Sequence, residues 1–296
     1  MTFQITVVSG KGGTGKTTLT ASLAYLLKDI VVADCDVDAS NLHLLLDPVV
    51  KEKKPYYGHK ISAVDEELCT GCGLCETNCR FGAIKVDEGL KAHIDSIACE
   101  ACGVCSFVCP AGAIKLEDRP TGEVYISDTD VCPMVHARLN AGEGTAGKLV
   151  TMVREEACKI AGKDGMVLID GPPGIGCPVI ASVAGTNIAV IVIEPTVSGV
   201  NDFNRVLSVV NRFKVKPCVC INKYDLNLHY TECVEGYCKE AGIRVLGRVP
   251  YDREVYDSIC DGIVPVKGVR DEIKAYYVNI FENLKRLIDE IRSENK

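Results

Sequence analysis

The sequence predicts an α/β protein, a doubly wound and mostly parallel sheet with a small α+β module inserted into it. Three observations carry that expectation. Near-continuous apolar runs alternate with amphipathic segments over most of the 296 residues. A glycine-rich loop, "GKGGTGKTT" at 10–18, stands between the first apolar run and the first helical pattern. One stretch, 56–119, breaks the alternation and carries the same cysteine spacing twice.

Taken in order, the predicted strands are 5–9, 30–34, 165–170, 188–194, 217–222 and 244–250. Apolar runs such as "IAVIVIE" suit strands covered on both faces. The predicted helices are 16–28, 143–161, 178–184, 198–212, 229–241 and 271–292. The last places Ile273, Tyr277, Ile280, Leu284, Leu287, Ile288 and Ile291 on one stripe, as a core-facing helix does. The basic segment "KEKKPYYGHK" at 51–60 reads as a linker. The expected domains are 1–55 with 120–296, and the insert 56–119.

Composition narrows the function classes. No run of 18 apolar residues exists, and the N-terminus lacks the pattern of a signal peptide, so a cytoplasmic chain without an integral membrane segment is expected. A net charge of −7 leaves no electrostatic footprint for nucleic acid. Seventeen cysteines in such a chain point to metal or cluster ligation rather than disulfides. Residues 61–118 hold ten acidic and four basic side chains, an acidic surface on which an electron donor or a client metalloprotein would dock.

The loop fits G-x-x-x-x-G-K-[ST]. Gly10, Gly12, Gly13, Thr14, Gly15, Lys16, Thr17 and Thr18 are its candidate nucleotide-binding residues. Glycines let backbone N–H groups face phosphate oxygens, and the helix N-terminus adds partial positive charge. Lys16 is expected on the β- and γ-phosphates and Thr17 on Mg²⁺.

The extra lysine, Lys11, narrows the class. "KGGTGKT" resembles the deviant phosphate loop of the MinD/ParA/Mrp family of dimeric ATPases. The resemblance implies a nucleotide-dependent homodimer, or a heterodimer with a related ATPase, in which Lys11 reaches the partner's nucleotide. It also makes "ADCDVDASN" (33–41) a first switch, with Asp36 positioning the attacking water and Asp34 near Mg²⁺. "LIDGPPGIG" (168–176) resembles the Walker B strand and second switch, with Asp170 close to the Mg²⁺ shell. "INKYD" and "VPYD" stand where the family holds the base, which brings in Asn222, Lys223, Asp225 and Pro250. The family implies ATP. "NKYD" also fits the guanine-reading N-K-x-D pattern, so the sequence leaves GTP open.

"CTGCGLCETNCRFGAIK" (69–85) and "CEACGVCSFVCPAGAIK" (99–115) match at nine of seventeen positions. Their C-x2-C-x2-C-x3-C spacing is that of two-cluster bacterial ferredoxins, in which the fourth cysteine of each run serves the other cluster. The expected ligands are Cys69, Cys72, Cys75 and Cys109 for one [4Fe–4S] cluster, and Cys99, Cys102, Cys105 and Cys79 for the other. Arg80 departs from the pattern, standing where proline is usual. Zinc is the competing reading of four-cysteine sites. Cys177 follows Asp170 at an offset similar to that of a cluster-ligating cysteine in the nitrogenase iron protein. With Cys132 from each protomer it would supply four thiolates to a third cluster bridging the dimer seam; the alternative is that both cysteines are core residues.

Two functions of different class follow. In one, ATP-driven dimer closure gates electron transfer or the maturation of a client's cluster or metal centre. In the other, the chain is a positioning or partition ATPase whose clusters are structural or sensory.

Overall fold

The structure is a computed structural model that describes residues 2–140, 142–144 and 146–294. The chain divides into two compact units. The first holds residues up to 54, then 124–138 and those from 146 on; the second holds 55–123 and 139–145.

The first unit opens with β1 (Phe3–Ser9), α1 (Lys16–Leu26), β2 (Ile30–Asp34) and α2 (His43–Leu46). After β3 (Val49–Tyr56) the chain enters the second unit: β4 (Lys60–Val64), α3 (Leu74–Thr77), β5 (Ile84–Val86), β6 (Ala92–Ile94), α4 (Val104–Val108) and β7 (Ile114–Asp118). It returns through β8 (Gly122–Asp128) and β9 (Pro133–Leu139). Then follow α5 (Ala146–Ala161), β10 (Met166–Pro173), α6 (Cys177–Val183), β11 (Ile188–Ile193) and α7 (Val197–Arg212). The chain ends in β12 (Lys216–Asn222), α8 (Leu228–Glu240), β13 (Arg244–Val249), α9 (Arg253–Cys260), α10 (Pro265–Gly268) and α11 (Asp271–Glu294).

One nine-stranded sheet runs in the order β13-β12-β11-β1-β10-β2-β9-β8-β3. From β13 to β9 every neighbouring pair is parallel. Alternate residues of the central strands therefore feed two separate cores. Ile5, Val32, Leu168, Val190 and Leu246 pack with α1 and the α11 stripe. Val8, Ile191, Val219 and Ile221 pack with Val206, Phe203 and Val183 of the opposite helices. Helices on both faces make this an α/β fold with a large, mostly parallel sheet. Among the described residues no helix is long and apolar enough to cross a membrane.

Three features differ from expectation. Residues 49–56 form edge strand β3 rather than a linker. Its side chains are almost all exposed, so charge masked the strand, and Pro55 is tolerated because an edge strand need not donate on its outer side. The hairpin strands β8 and β9 were not expected either. Helix α5 begins at Ala146 rather than 143, and residue 145 of the expected helix lies outside the described residues.

The second unit is built on exchange between its two repeats. β4, which leads into the first repeat, pairs antiparallel with β7, which leaves the second. β6, which leads into the second, pairs antiparallel with β5, which leaves the first. The hydrogen bonds repeat with the same thirty-residue offset. Asp65 N donates to Ala113 O at 2.7 Å, and Asp95 N to Ala83 O at 2.7 Å. Cys69 N bonds Asp65 O and Cys99 N bonds Asp95 O, both at 3.0 Å.

Candidate functional site

The phosphate loop lies between β1 and α1 in the first unit. Gly15, at φ +86°, takes a left-handed conformation, and a Cβ there would collide with Asn222 Nδ2. Only glycine lets the loop close onto that side chain, whose Nδ2 donates to Thr14 O at 2.8 Å. Thr14 Oγ1 is buried, and among the described residues it has no hydrogen-bond partner. An orphaned donor inside a loop of this shape suits a phosphate oxygen.

Below the loop, β2 and β10 set two buried carboxylates in register, Asp34 opposite Asp170. Thr17 Oγ1 donates to Asp170 Oδ2 at 2.8 Å, and Thr20 Oγ1 to Asp170 Oδ1 at 3.0 Å. Lys16 Nζ lies 3.4 Å from both Asp170 Oδ1 and Asp36 Oδ2. Ser40 Oγ and the Asp36 N–H hold Asp34 at 2.6 and 3.1 Å. Burial, reinforced by Asp170, pushes the Asp34 carboxyl up to about 7. Burial alone would lower the Lys16 ammonium, but Asp170, Asp36 and Asp34 outweigh it and hold it above its ordinary value. Burial also raises the Asp36 carboxyl, against Lys16. Two buried carboxylates beside a threonine hydroxyl form a hard oxygen donor set, and Thr17, Asp170 and Asp34 fit Mg²⁺ by that chemistry.

Two clefts meet at the loop. One, of about 470 Å³, is lined by Gly12 through Thr18, Asp36, Asn41 and Pro173. The other, of about 220 Å³, is lined by Asn222, Lys223, Val249, Pro250, Tyr251 and Tyr256. They share Gly13, Gly15, Thr18 and Ile259 and so form one continuous groove. Its second half is mostly apolar, a shape for a base rather than a phosphate. Asp225 does not line it; Asp225 Oδ1 accepts the Tyr251 N–H at 2.7 Å. That carboxylate staples the loop that carries Tyr251. Asp252 fixes the far side, capping α9 and pairing with Arg270 at 2.6 Å.

Sequence reasoning missed Thr20, Ser40, the two tyrosines and Glu194. Glu194, just after β11, pairs with Lys11 at 3.2 Å and Lys223 at 2.5 Å. A charged residue closing an otherwise apolar strand was the available signal.

In the second unit the eight repeat cysteines line two cavities. Cys69, Cys72, Cys75 and Cys109 line one. Cys79, Cys99, Cys102 and Cys105 line the other. Each set takes three thiols from one repeat and one from the other. Gly71, at φ +66°, permits the approach of Leu90, whose carbonyl oxygen would collide with a Cβ there. Among the described residues no group of three or more His, Cys, Asp or Glu side chains converges closely enough to hold a metal ion. The cysteine sets thus offer no ready-made single-ion site. In a cubane each thiolate binds its own iron, so the four sulfurs spread around a core instead of meeting at a point.

Cys132 and Cys177 differ in exposure. Cys132 is buried in the core with Met134 and Val32, and burial pushes its thiol up to about 11. Cys177 is exposed at the start of α6, where α5 packs close at Gly147. The buried position of Cys132 fits the core alternative for that residue, and the exposed position of Cys177 does not.

The comparisons with known proteins bear on the whole chain. The family described as CobQ/CobB/MinD/ParA nucleotide binding domain matches residues 5–266. An uncharacterised protein of Methanocaldococcus jannaschii, MJ0578, is 34% identical over 291 residues, covering 96% of this chain and 97% of that one. Among solved structures, the septum site-determining protein MinD of Pyrococcus horikoshii, complexed with Mg-ADP, matches at TM-score 0.61 and 19% identity. That match covers 98% of this chain and 99% of MinD. A plasmid partition protein of Borrelia burgdorferi bound to AMPPNP matches at TM-score 0.56 and 14% identity, over 97% and 99% of the two chains. At these identities the structures speak for the fold, and the family match with the archaeal relative speaks for descent: the chain belongs to the CobQ/CobB/MinD/ParA nucleotide-binding family.

Proposed function

We propose that the chain is a slow, Mg²⁺-dependent ATPase that dimerises on nucleotide and carries two [4Fe–4S] clusters in its second unit. Its nucleotide state gates electron transfer to a client metalloprotein, or maturation of that client's cluster or metal centre. One observation carries the cluster half: each cysteine cavity is lined by three thiols of one repeat and the fourth of the other. Bound there, the clusters would supply one-electron transfer.

The chain's own residues do the rest. Backbone N–H groups of Gly12 to Thr17, with the Thr14 hydroxyl, cradle the phosphates. Lys16 neutralises them, leaving Asp36 and Asp170 as its side-chain contacts give way. Thr17, Asp170 and Asp34 hold Mg²⁺. Asp36, at the mouth of the groove, orients the attacking water. The apolar pocket beside Asn222 takes adenine, with the Asp225 carboxylate already engaged on Tyr251. Lys11 serves the partner's nucleotide in the dimer.

A second reading is supported by the fold likeness to MinD and the partition protein: a positioning ATPase whose clusters are structural or sensory. Reoxidation of the dithionite-reduced protein by a mild acceptor separates the two. The redox reading expects the rate to differ at least severalfold between ATP and ADP. Equal rates with both nucleotides favour positioning.

A further inference from the structure

The ammonium of Lys11, assigned above to a partner's nucleotide, is tied down within its own protomer. Lys11 Nζ stands 3.2 Å from Glu194 Oε2, and Lys223 Nζ takes the other carboxylate oxygen at 2.5 Å. The Glu194 side chain is only 11% exposed. Burial alone would raise its carboxyl, but Lys223 and Lys11 outweigh it and hold it below its ordinary value. It is therefore an anion at neutral pH.

Its backbone is held too. Thr196 N donates to Glu194 O at 2.8 Å, and Thr196 caps α7 by accepting the Gly199 N–H. A Cβ on Gly199 would collide with Glu194 O, so helix and carbonyl are packed as close as glycine allows. The carboxylate is the fixed member of the pair and Lys11 the movable one, with a side chain one-third exposed. Lys223 follows Asn222, whose amide reaches Thr14 O, so Glu194 connects the base end of the groove to the early lysine.

We infer that Glu194 is a positioning residue that latches Lys11 in cis, and that dimer closure must break this ion pair in both protomers. The inference rests on the proposed role of Lys11 across the dimer. One ammonium cannot sit on Glu194 and on the partner's phosphates at once. Lys223 competes with Lys11 for the same carboxylate and so sets how tightly the latch holds.

Sedimentation equilibrium of the cluster-loaded protein at saturating Mg-AMPPNP tests this. A partly exposed ion pair released twice per symmetric dimer predicts about tenfold tighter dimerisation for Glu194→Gln. Lys223→Met, which leaves Glu194 to Lys11 alone, is expected to weaken dimerisation severalfold. That variant decides between the outcomes if Glu194→Gln fails to fold. The Lys11→Ala/Glu194→Gln double variant is expected to stay monomeric. Wild-type protein that never dimerises would overturn the proposed function and the latch with it. A nucleotide-dependent wild-type dimer that Glu194→Gln leaves unchanged, or Lys223→Met tightens, would overturn the latch alone. So would a double variant that dimerises as well as Glu194→Gln, because Glu194 would then act without Lys11.

Discussion

The nucleotide groove and the cysteine cavities rest on different foundations. In the first unit, two apolar cores flank the sheet, and the groove's charged residues are already paired with one another: Lys16 with Asp170 and Asp36, Glu194 with Lys11 and Lys223. In the second unit the buried core is Cys75, Ile84, Ala92, Cys105 and Ile114, with Cys69, Cys79 and Cys109 packed against it. Two of the cysteines expected to bind iron, Cys75 and Cys105, are buried in that small cluster. A unit of that size has little core to spare, so the proposed clusters would contribute directly to its folding. The contrast teaches that one unit presents a site already held by its own ion pairs, while the other, on the proposed reading, would be completed by its clusters.

The largest expected effect breaks the first unit's site and spares the second. Lys16→Ala should weaken Mg-ATP binding by about 100-fold or more, since a buried phosphate charge loses its partner. Calorimetry on the same sample as an iron assay checks this, and iron content should not change. Next comes the reverse experiment. Stripping iron with a chelator should make 55–123 sensitive to protease while ATP binding and the main thermal transition persist. Collapse of both together would mean that the two units do not fold separately.

A smaller effect sharpens the idea of a finished, tense groove. Asp34 has its carboxyl raised to about 7, so the nucleotide-free fold prefers it protonated. A raised acid stabilises fully below its ordinary value, and that contribution is lost as pH rises through about 7. Wild-type stability without nucleotide should therefore fall by about 1 kcal/mol between pH 6 and pH 8. Asp34→Asn should flatten that slope and weaken Mg²⁺ binding. A wild-type melting temperature that does not fall across this range would remove the argument. The smallest effect concerns Asp225. Loss of one loop hydrogen bond in Asp225→Ala should cost about fivefold in affinity for ATP and GTP alike. A change of more than tenfold in the ATP-to-GTP ratio would make Asp225 a base reader after all.

Much of this was legible in the sequence. Strands β1, β2, β10 and β11 are rich in Val and Ile because both of their faces are covered, while β13, at the sheet edge, was still legible from its apolar positions between Arg244 and Arg248. The phosphate loop and the cysteine runs are local patterns, so spacing alone carries them. β3 was not legible, because "VVKEKKPY" is an exposed edge whose pairing owes nothing to apolar pattern. Nor was the triad of Lys11, Glu194 and Lys223, which joins three points far apart in the chain. The burial of Cys132 was not legible either, because it lies in the turn between β8 and β9, two strands the apolar pattern did not announce.

The crossing of the cysteine sets is the central claim, and a count of iron and sulfide after anaerobic purification tests it most directly. Wild-type protein should hold about eight of each per chain. Pairing Cys72→Ser with Cys109→Ser damages one set twice and should leave about four irons. Pairing Cys72→Ser with Cys79→Ser damages both sets and should leave almost none. The opposite pattern would assign each repeat its own cluster, and two zinc ions without sulfide in the wild-type protein would contradict the clusters themselves.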